Sequence, residues 1–260
     1  MSSKCVLSAL VVTLVFVLTP PAHGQCVAPD PPVDDPTCPP EGCDTGCGAK
    51  PRYASFHVQG PGVLQAVRVT FASLPGHEYA EGRKMWVQEP RQISEAPGTA
   101  NPEPPPTMRA GSLGCDPYCT DWTQYEVVDV FNDALVKYGT YAVQVINCDD
   151  PLDQEECYSD PLLVTLSEIG DVCGFRTAPS PPAPPNCLCD FNDITIILDK
   201  WRNLPGAIRK ARADLINSSG LTLTPDHKIS MDDVSAAVDC FRGLPRQGSS
   251  PPAADPCASG

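Results

Sequence analysis

Asp193-Ile-Thr-Ile-Ile-Leu-Asp-Lys-Trp-Arg-Asn-Leu-Pro205 returns forty residues later as Asp233-Val-Ser-Ala-Ala-Val-Asp-Cys-Phe-Arg-Gly-Leu-Pro245. Such self-similarity at a fixed offset is the mark of a duplicated structural unit. In each copy the apolar residues fall at i, i+3, i+4 and i+7: Ile194, Ile197, Leu198 and Trp201, then Val234, Ala237, Val238 and Phe241. That spacing makes one face of an α-helix. Asp193 and Asp233 stand where each helix begins, matched to unpaired N–H groups and the positive end of the dipole, and Leu-Pro closes each helix. Neither stripe can be buried alone, so the expected packing sets Trp201 against Phe241 in an antiparallel pair.

The residues ahead of each helix read as interrupted calcium loops. Calcium takes six to eight oxygens, and an EF-hand-type loop supplies them at positions 1, 3, 5, 7 and 9, with a carboxylate at 12. With Asp233 at 12, Ser230 falls at 9, Ile229 at the inward apolar position 8, the Lys228 carbonyl at 7 and Asp226 at 5. Asp214 is position 1, across an insertion. With Asp193 at 12, Asp190 falls at 9, Cys189 at 8 and Asn186 at 5, with Asp171 as position 1 across a Pro-rich insertion. His227 and Cys187 replace the turn glycine expected at position 6. The expected ligands are thus Asp214, Asp226, Lys228, Ser230 and Asp233 in the stronger loop, and Asp171, Asn186, Asp190 and Asp193 in the weaker.

A duplicated Asp-rich loop and helix of this kind resembles a dockerin type I domain. Gly170-Asp-Val-Cys-Gly174, Asp199-Lys-Trp-Arg-Asn-Leu-Pro-Gly206 and Lys210-Ala-Arg-Ala-Asp-Leu215 are similar to one sub-family of secreted bacterial proteins, which carry an immunoglobulin-like domain before a dockerin-like end. The resemblance runs from about Tyr53 to Pro245. It implies Ca2+ as the ion that orders the helix pair, and a cohesin-like or other cell-surface protein as the partner. The chain departs from cellulosome dockerins at positions 10 and 11, where Phe191-Asn192 and Met231-Asp232 replace Ser-Thr pairs.

Upstream, Lys4, an apolar run from Cys5 to Leu18 and Ala22-His-Gly24 before Gln25 read as a secretory signal peptide over residues 1–24, too short for a membrane span. Gln25 ahead of Cys26 is not a lipobox. Of the 14 cysteines, 13 follow this segment, a density that in an exported chain argues for disulfides over zinc. Because 13 is odd, one thiol stays unpaired within the chain. A net charge of −14 disfavours nucleic acid and anionic membranes as partners.

Residues 25–50 form a Cys/Pro-rich leader, 51–170 a β-sandwich domain, 171–245 the dockerin-like helix pair and 246–260 a flexible tail. Alternating, β-branched stretches at 53–58, 66–71, 84–87, 125–131, 139–146 and 162–166 fit a mainly β fold of immunoglobulin or fibronectin III-like type. Glu89 to Thr107, rich in proline, reads as a loop. The stretches 125–131 and 139–146 read as a hairpin, which predicts Cys115–Cys148 and Cys119–Cys157 bridges. Cys173 is expected to pair with Cys187 or Cys189.

No catalytic motif is present: no Gly-x-Ser-x-Gly, phosphate loop or HExxH. Glu78, Glu81, Asp121 and Asp129 read as solvated charges; Trp86, Trp122 and Tyr125 could stack on a sugar, with Trp86 and Trp122 read first as core residues. The expected function is non-catalytic binding or anchoring outside the cell. The alternative is an accessory role in extracellular polysaccharide degradation, by carbohydrate binding or weak hydrolysis.

Overall fold

The computed structural model describes residues 26–33, 53–102, 107–166, 168–174, 185–186, 188–217, 225–244, 251 and 253–258. The signal segment and most of the leader lie outside this set. Nine strands form two sheets: β1 (Ala54–Phe56), β2 (Gln65–Ser73), β3 (Lys84–Val87), β4 (Arg91–Ser94), β5 (Thr107–Gly111), β6 (Leu113–Gly114), β7 (Val128–Val130), β8 (Thr140–Asn147) and β9 (Leu162–Thr165). One sheet runs β1-β7-β5-β4 and the other β6-β3-β2-β8-β9. The fold is mainly β.

Period-2 alternation places the core. On β8, Tyr141, Val143 and Val145 are buried while Thr140, Ala142 and Gln144 are partly exposed. The inward residues meet Phe56, Val128 and Val130 of the other sheet in one cluster that also holds Trp122, so the two sheets share a core. The expected last hairpin is present, with Tyr141 opposite Val164. Two expectations are corrected. Residues 91–94 of the supposed loop form β4, paired antiparallel with β5; four residues between prolines give too weak a local signal, and the partner strand supplies the order. The stretches 125–131 and 139–146 form no hairpin, because β7 joins β1 and β5 in the other sheet.

Bridge connectivity follows that topology. The pairs are Cys119–Cys148, Cys26–Cys157 and Cys115–Cys257, which replaces the expected Cys115–Cys148 and Cys119–Cys157. The leader is thereby stapled to the loop before β9, and the tail returns to the β body. Arg83 and Tyr79 hold the tail further, donating to the Ala253 and Pro251 carbonyls at 2.9 and 2.7 Å. The four disulfides among the described residues fit an extracellular or otherwise oxidising environment. No helix among the described residues is long and apolar enough to cross a membrane.

Three α-helices follow: α1 (Phe191–Trp201), α2 (Lys210–Ala213) and α3 (Met231–Phe241). At 11 residues each, α1 and α3 run about three turns. They begin two residues before the expected starts: Asp190 and Ser230 are the N-caps, and Asp193 and Asp233 sit at N3 and complete capping boxes. Both end alike, on Asn203 and Gly243 with φ of +56° and +67°, the left-handed cap that Gly and Asn tolerate. Cys189, just ahead of α1, bonds Cys240 near the end of α3, so the helices run antiparallel. That bond overturns the expected Cys173 pairing and leaves the Cys173 thiol buried and unbonded.

The helix contact is not the expected one. Trp201 and Phe241 are 43% and 53% exposed. Ile196, Ile197, Ala236 and Ala237 form the buried seam instead. The segment after β9 packs tightly on α3 as well: a Cβ on Gly170 would meet the Cys240 Cβ at 2.7 Å and the Ala237 Cα at 3.2 Å. Because the helices run antiparallel, Trp201 and Phe241, each the last residue of its helix, fall at opposite ends of the pair.

Candidate functional site

The repeat reaches further upstream than its helices. Asp193 Oδ2 accepts the N–H of its own N-cap, Asp190, at 2.8 Å, while Oδ1 accepts Val172 and Cys173 N–H at 2.7 and 2.9 Å. Asp233 repeats the pattern: Oδ2 takes Ser230 N–H at 2.7 Å, and Oδ1 takes Leu215 and Ile216 N–H at 2.8 and 3.1 Å. Each carboxylate therefore pins a distant backbone segment to the start of a helix. Both are fully buried, and burial pushes each up to about 6.

The acids one residue ahead of those pinned amides are Asp171 and Asp214, the expected first positions of the two loops. Here the copies part. In loop one, Asp171 accepts Asn186 N–H at 3.2 Å, Asn186 Oδ1 accepts Leu188 N–H at 3.0 Å, and Asp190 caps α1 through Asn192. Its third position is the Cys173 thiol, pushed up to about 12 by burial and next by the Asp193 charge; it offers no side-chain oxygen, as Ile216 offers none at the third position of loop two.

In loop two, Asp226 accepts Lys228 N–H at 3.0 Å and Ser230 Oγ accepts Asp232 N–H at 3.0 Å. Ile229 is buried, as position 8 requires, and Lys228 is exposed. Asp214 is fully buried, and neither of its carboxylate oxygens takes a hydrogen bond of ordinary geometry; the His227 backbone N–H gives it only a weak, partial contact. Burial, then the charges of Asp233 and Asp226, hold its carboxyl well above the usual carboxylate range. An unsatisfied buried acceptor of this kind costs free energy and calls for a specific cause.

Tested against calcium, the two loops differ. Among the described residues no three Asp, Glu, His or Cys side chains converge as a ready cage. Loop two nevertheless carries the hard-oxygen set calcium takes: both Asp214 oxygens, the Asp226 and Asp233 carboxylates, the Ser230 hydroxyl and the Lys228 carbonyl. Asp214 is neutralised either by a proton, which its raised pKa favours, or by a cation shared with the neighbouring acids. In both loops most acceptors already take backbone amides; loop one fits less well because its first acid, Asp171, is among them while Asp214 is not. The orphaned Asp214 was not legible in the sequence, since burial is a tertiary property.

The second feature is a set of exposed apolar side chains on the helix pair. Phe191, Trp201, Leu204, Met231, Phe241 and Leu244 are all exposed, and they fall at matching positions of the two copies. Antiparallel packing puts the α1 end, with Trp201 and Leu204, beside the α3 start, with Met231. The other end mirrors it.

The remaining candidates are structural. Trp122 is 1% exposed and donates its indole N–H to the Gln65 carbonyl at 2.8 Å; Trp86 packs against Tyr158. Asp121 caps a short turn through Thr123, and Glu81 and Glu78 accept the Leu74 and Gly76 amides. Asp129 is corrected: it is buried, not solvated, and binds Ser55 and Arg209, each at 2.6 Å.

Together these features define a mainly β, disulfide-bonded protein with three α-helices among its described residues. Neither known family models, curated proteins nor solved structures contain a match to the chain.

Proposed function

We propose that this is an exported, non-catalytic binding or anchoring protein. Its β body is an immunoglobulin or fibronectin III-like sandwich, and its helical region is a dockerin-like module ordered by Ca2+ at loop two. The exposed apolar ends of the helix pair then serve as the docking face for a cohesin-like or other cell-surface protein. The observation that carries this reading is Asp214, a buried carboxylate whose oxygens take no hydrogen bond of ordinary geometry in a loop of hard oxygen donors. The four disulfides support export.

Polysaccharide as the ligand draws less support. Of the rings that would stack on a sugar, Trp86 and Trp122 lie in the interior, and the partly buried Tyr125 packs edge-on against Trp122.

Asp214→Asn tests the metal reading by sign. In EDTA the variant should melt at or above the parent, because it removes an unpaired buried charge. In calcium at a hundredfold excess over its dissociation constant, the parent should gain about 2.7 kcal/mol and the variant should gain little, so the order reverses. Parallel shifts in both conditions would overturn the reading. Docking is tested by crosslinking to the cell-surface fraction: Trp201→Ala with Phe241→Ala should lose the adducts formed by the parent, and equal adducts would remove the docking face.

A further inference from the structure

The same loop that carries Asp214 is also the seam between the helical region and the β body. The Tyr53 hydroxyl donates to the backbone carbonyl of Asp214, and the Ile229 N–H donates to the Pro97 carbonyl at 2.7 Å. The His227 ring stands edge-on to Phe131 at 4.7 Å. Positions 1, 6 and 8 of loop two thus each hold the β body with backbone or ring atoms. Asp214 holds it with its carbonyl while its carboxylate faces the other acids of the loop. The seam continues along α2, where the buried Lys210 ammonium donates to the Thr99 carbonyl at 2.8 Å and Glu95 takes both the Lys210 N–H and the Lys200 ammonium.

We propose that cation binding at loop two latches the helical region onto the β1-β7-β5-β4 face, so that the ion regulates the docking of two parts of one chain. This rests on the metal reading above and goes beyond it. The argument is geometric. Asp214 and Asp226 are separated by an insertion, so drawing their side chains onto one ion fixes the relative position of the two loop segments. Those segments carry Tyr53's acceptor on one side, and His227 and Ile229 on the other. Coupling of this kind is reciprocal: if the ion strengthens the seam, the seam strengthens ion binding by the same factor. The helical region is bracketed as well, because the chain returns from α3 to the β body through Cys115–Cys257. Opening would therefore be a local release at the seam, with both ends still attached.

The test uses the full chain, with Ca2+ against EDTA and amide hydrogen exchange read segment by segment. Calcium should slow exchange at least about tenfold both in residues 226–241 and in the β4 flank, residues 91–99, in line with ordinary coupling strengths. Tyr53→Phe removes one hydroxyl and no acid; it should weaken Ca2+ affinity about fivefold by titration calorimetry and erase the β4 protection. Protection confined to 226–241, or unchanged affinity in Tyr53→Phe, would overturn the latch while leaving the metal site standing. Absence of protection in both segments would remove the metal reading itself. If Tyr53→Phe fails to fold, Phe131→Leu replaces it, with the same expected loss of affinity.

Discussion

The β body and the helical region treat their acidic residues in opposite ways. In the β body, buried or structured carboxylates meet cations of the same chain. Glu155 binds Arg68 and Lys84, whose hydrogen bonds hold it down to about 2, and Asp129 binds Arg209. In the helical region, Asp193 and Asp233 are buried against backbone amides, with the Ser230 hydroxyl added at Asp233, and Asp214 has only a weak contact with the His227 N–H. Arg68 shows what the difference means. It is 3% exposed on a central strand, and it is tolerated because Glu155, Gln144 and the Tyr158 ring surround its guanidinium. A buried charge is stable where the fold supplies its counter-charge. The helical region buries four acids, Asp171, Asp193, Asp214 and Asp233, and at Asp214 the pull of Lys210 is outweighed by burial and by the charges of Asp233 and Asp226; that imbalance is the physical basis of the cation proposed for loop two.

The strongest attack on that contrast is Asp233→Ala. It strands the Leu215, Ile216 and Ser230 amides, and at about 1–3 kcal/mol for each buried donor the helical region should lose about 5 kcal/mol in calcium. Urea melts followed by amide exchange should show that loss in residues 226–241, with the β core unchanged. Next is the Cys189→Ser, Cys240→Ser pair. Opening a crosslink of sequence separation 51 should cost about 4 kcal/mol on the chain-entropy model, and the helices should exchange faster while the β strands keep their protection.

In the β body, Trp122→Phe removes the indole bond to Gln65 and leaves a small void, costing about 2 kcal/mol in a urea melt, with no change in the response to calcium. The smallest effect is Glu155→Gln. Its carboxylate is 57% exposed, so the loss at neutral pH should stay under about 1 kcal/mol. The sign follows from a folded pKa below the unfolded value of about 4.3. The parent's extra stability is present above that value and is lost as the pH falls towards about 2, so parent and variant should converge in acid melts. A gap that persists at pH 2 would mean the pair is not electrostatic.

The chain's local chemistry determined a good deal unaided. Helical periodicity in two copies, the acids near each start, and short alternating stretches gave two helices, a mainly β body and the β8–β9 hairpin. These features depend on neighbours within a few residues, and propensity and capping act at that range. Tertiary structure alone decided which cysteines meet, that β7 leaves its sequence neighbour β8 for the other sheet, and that Ile197 and Ala237, not Trp201 and Phe241, close the helix seam. It also decided the candidate site. Asp171 and Asp214 occupy equivalent positions, yet one takes a hydrogen bond from the Asn186 amide and the other takes none of ordinary geometry. Burial and partnership depend on residues brought close by folding, so no reading of spacing along the chain could separate the two.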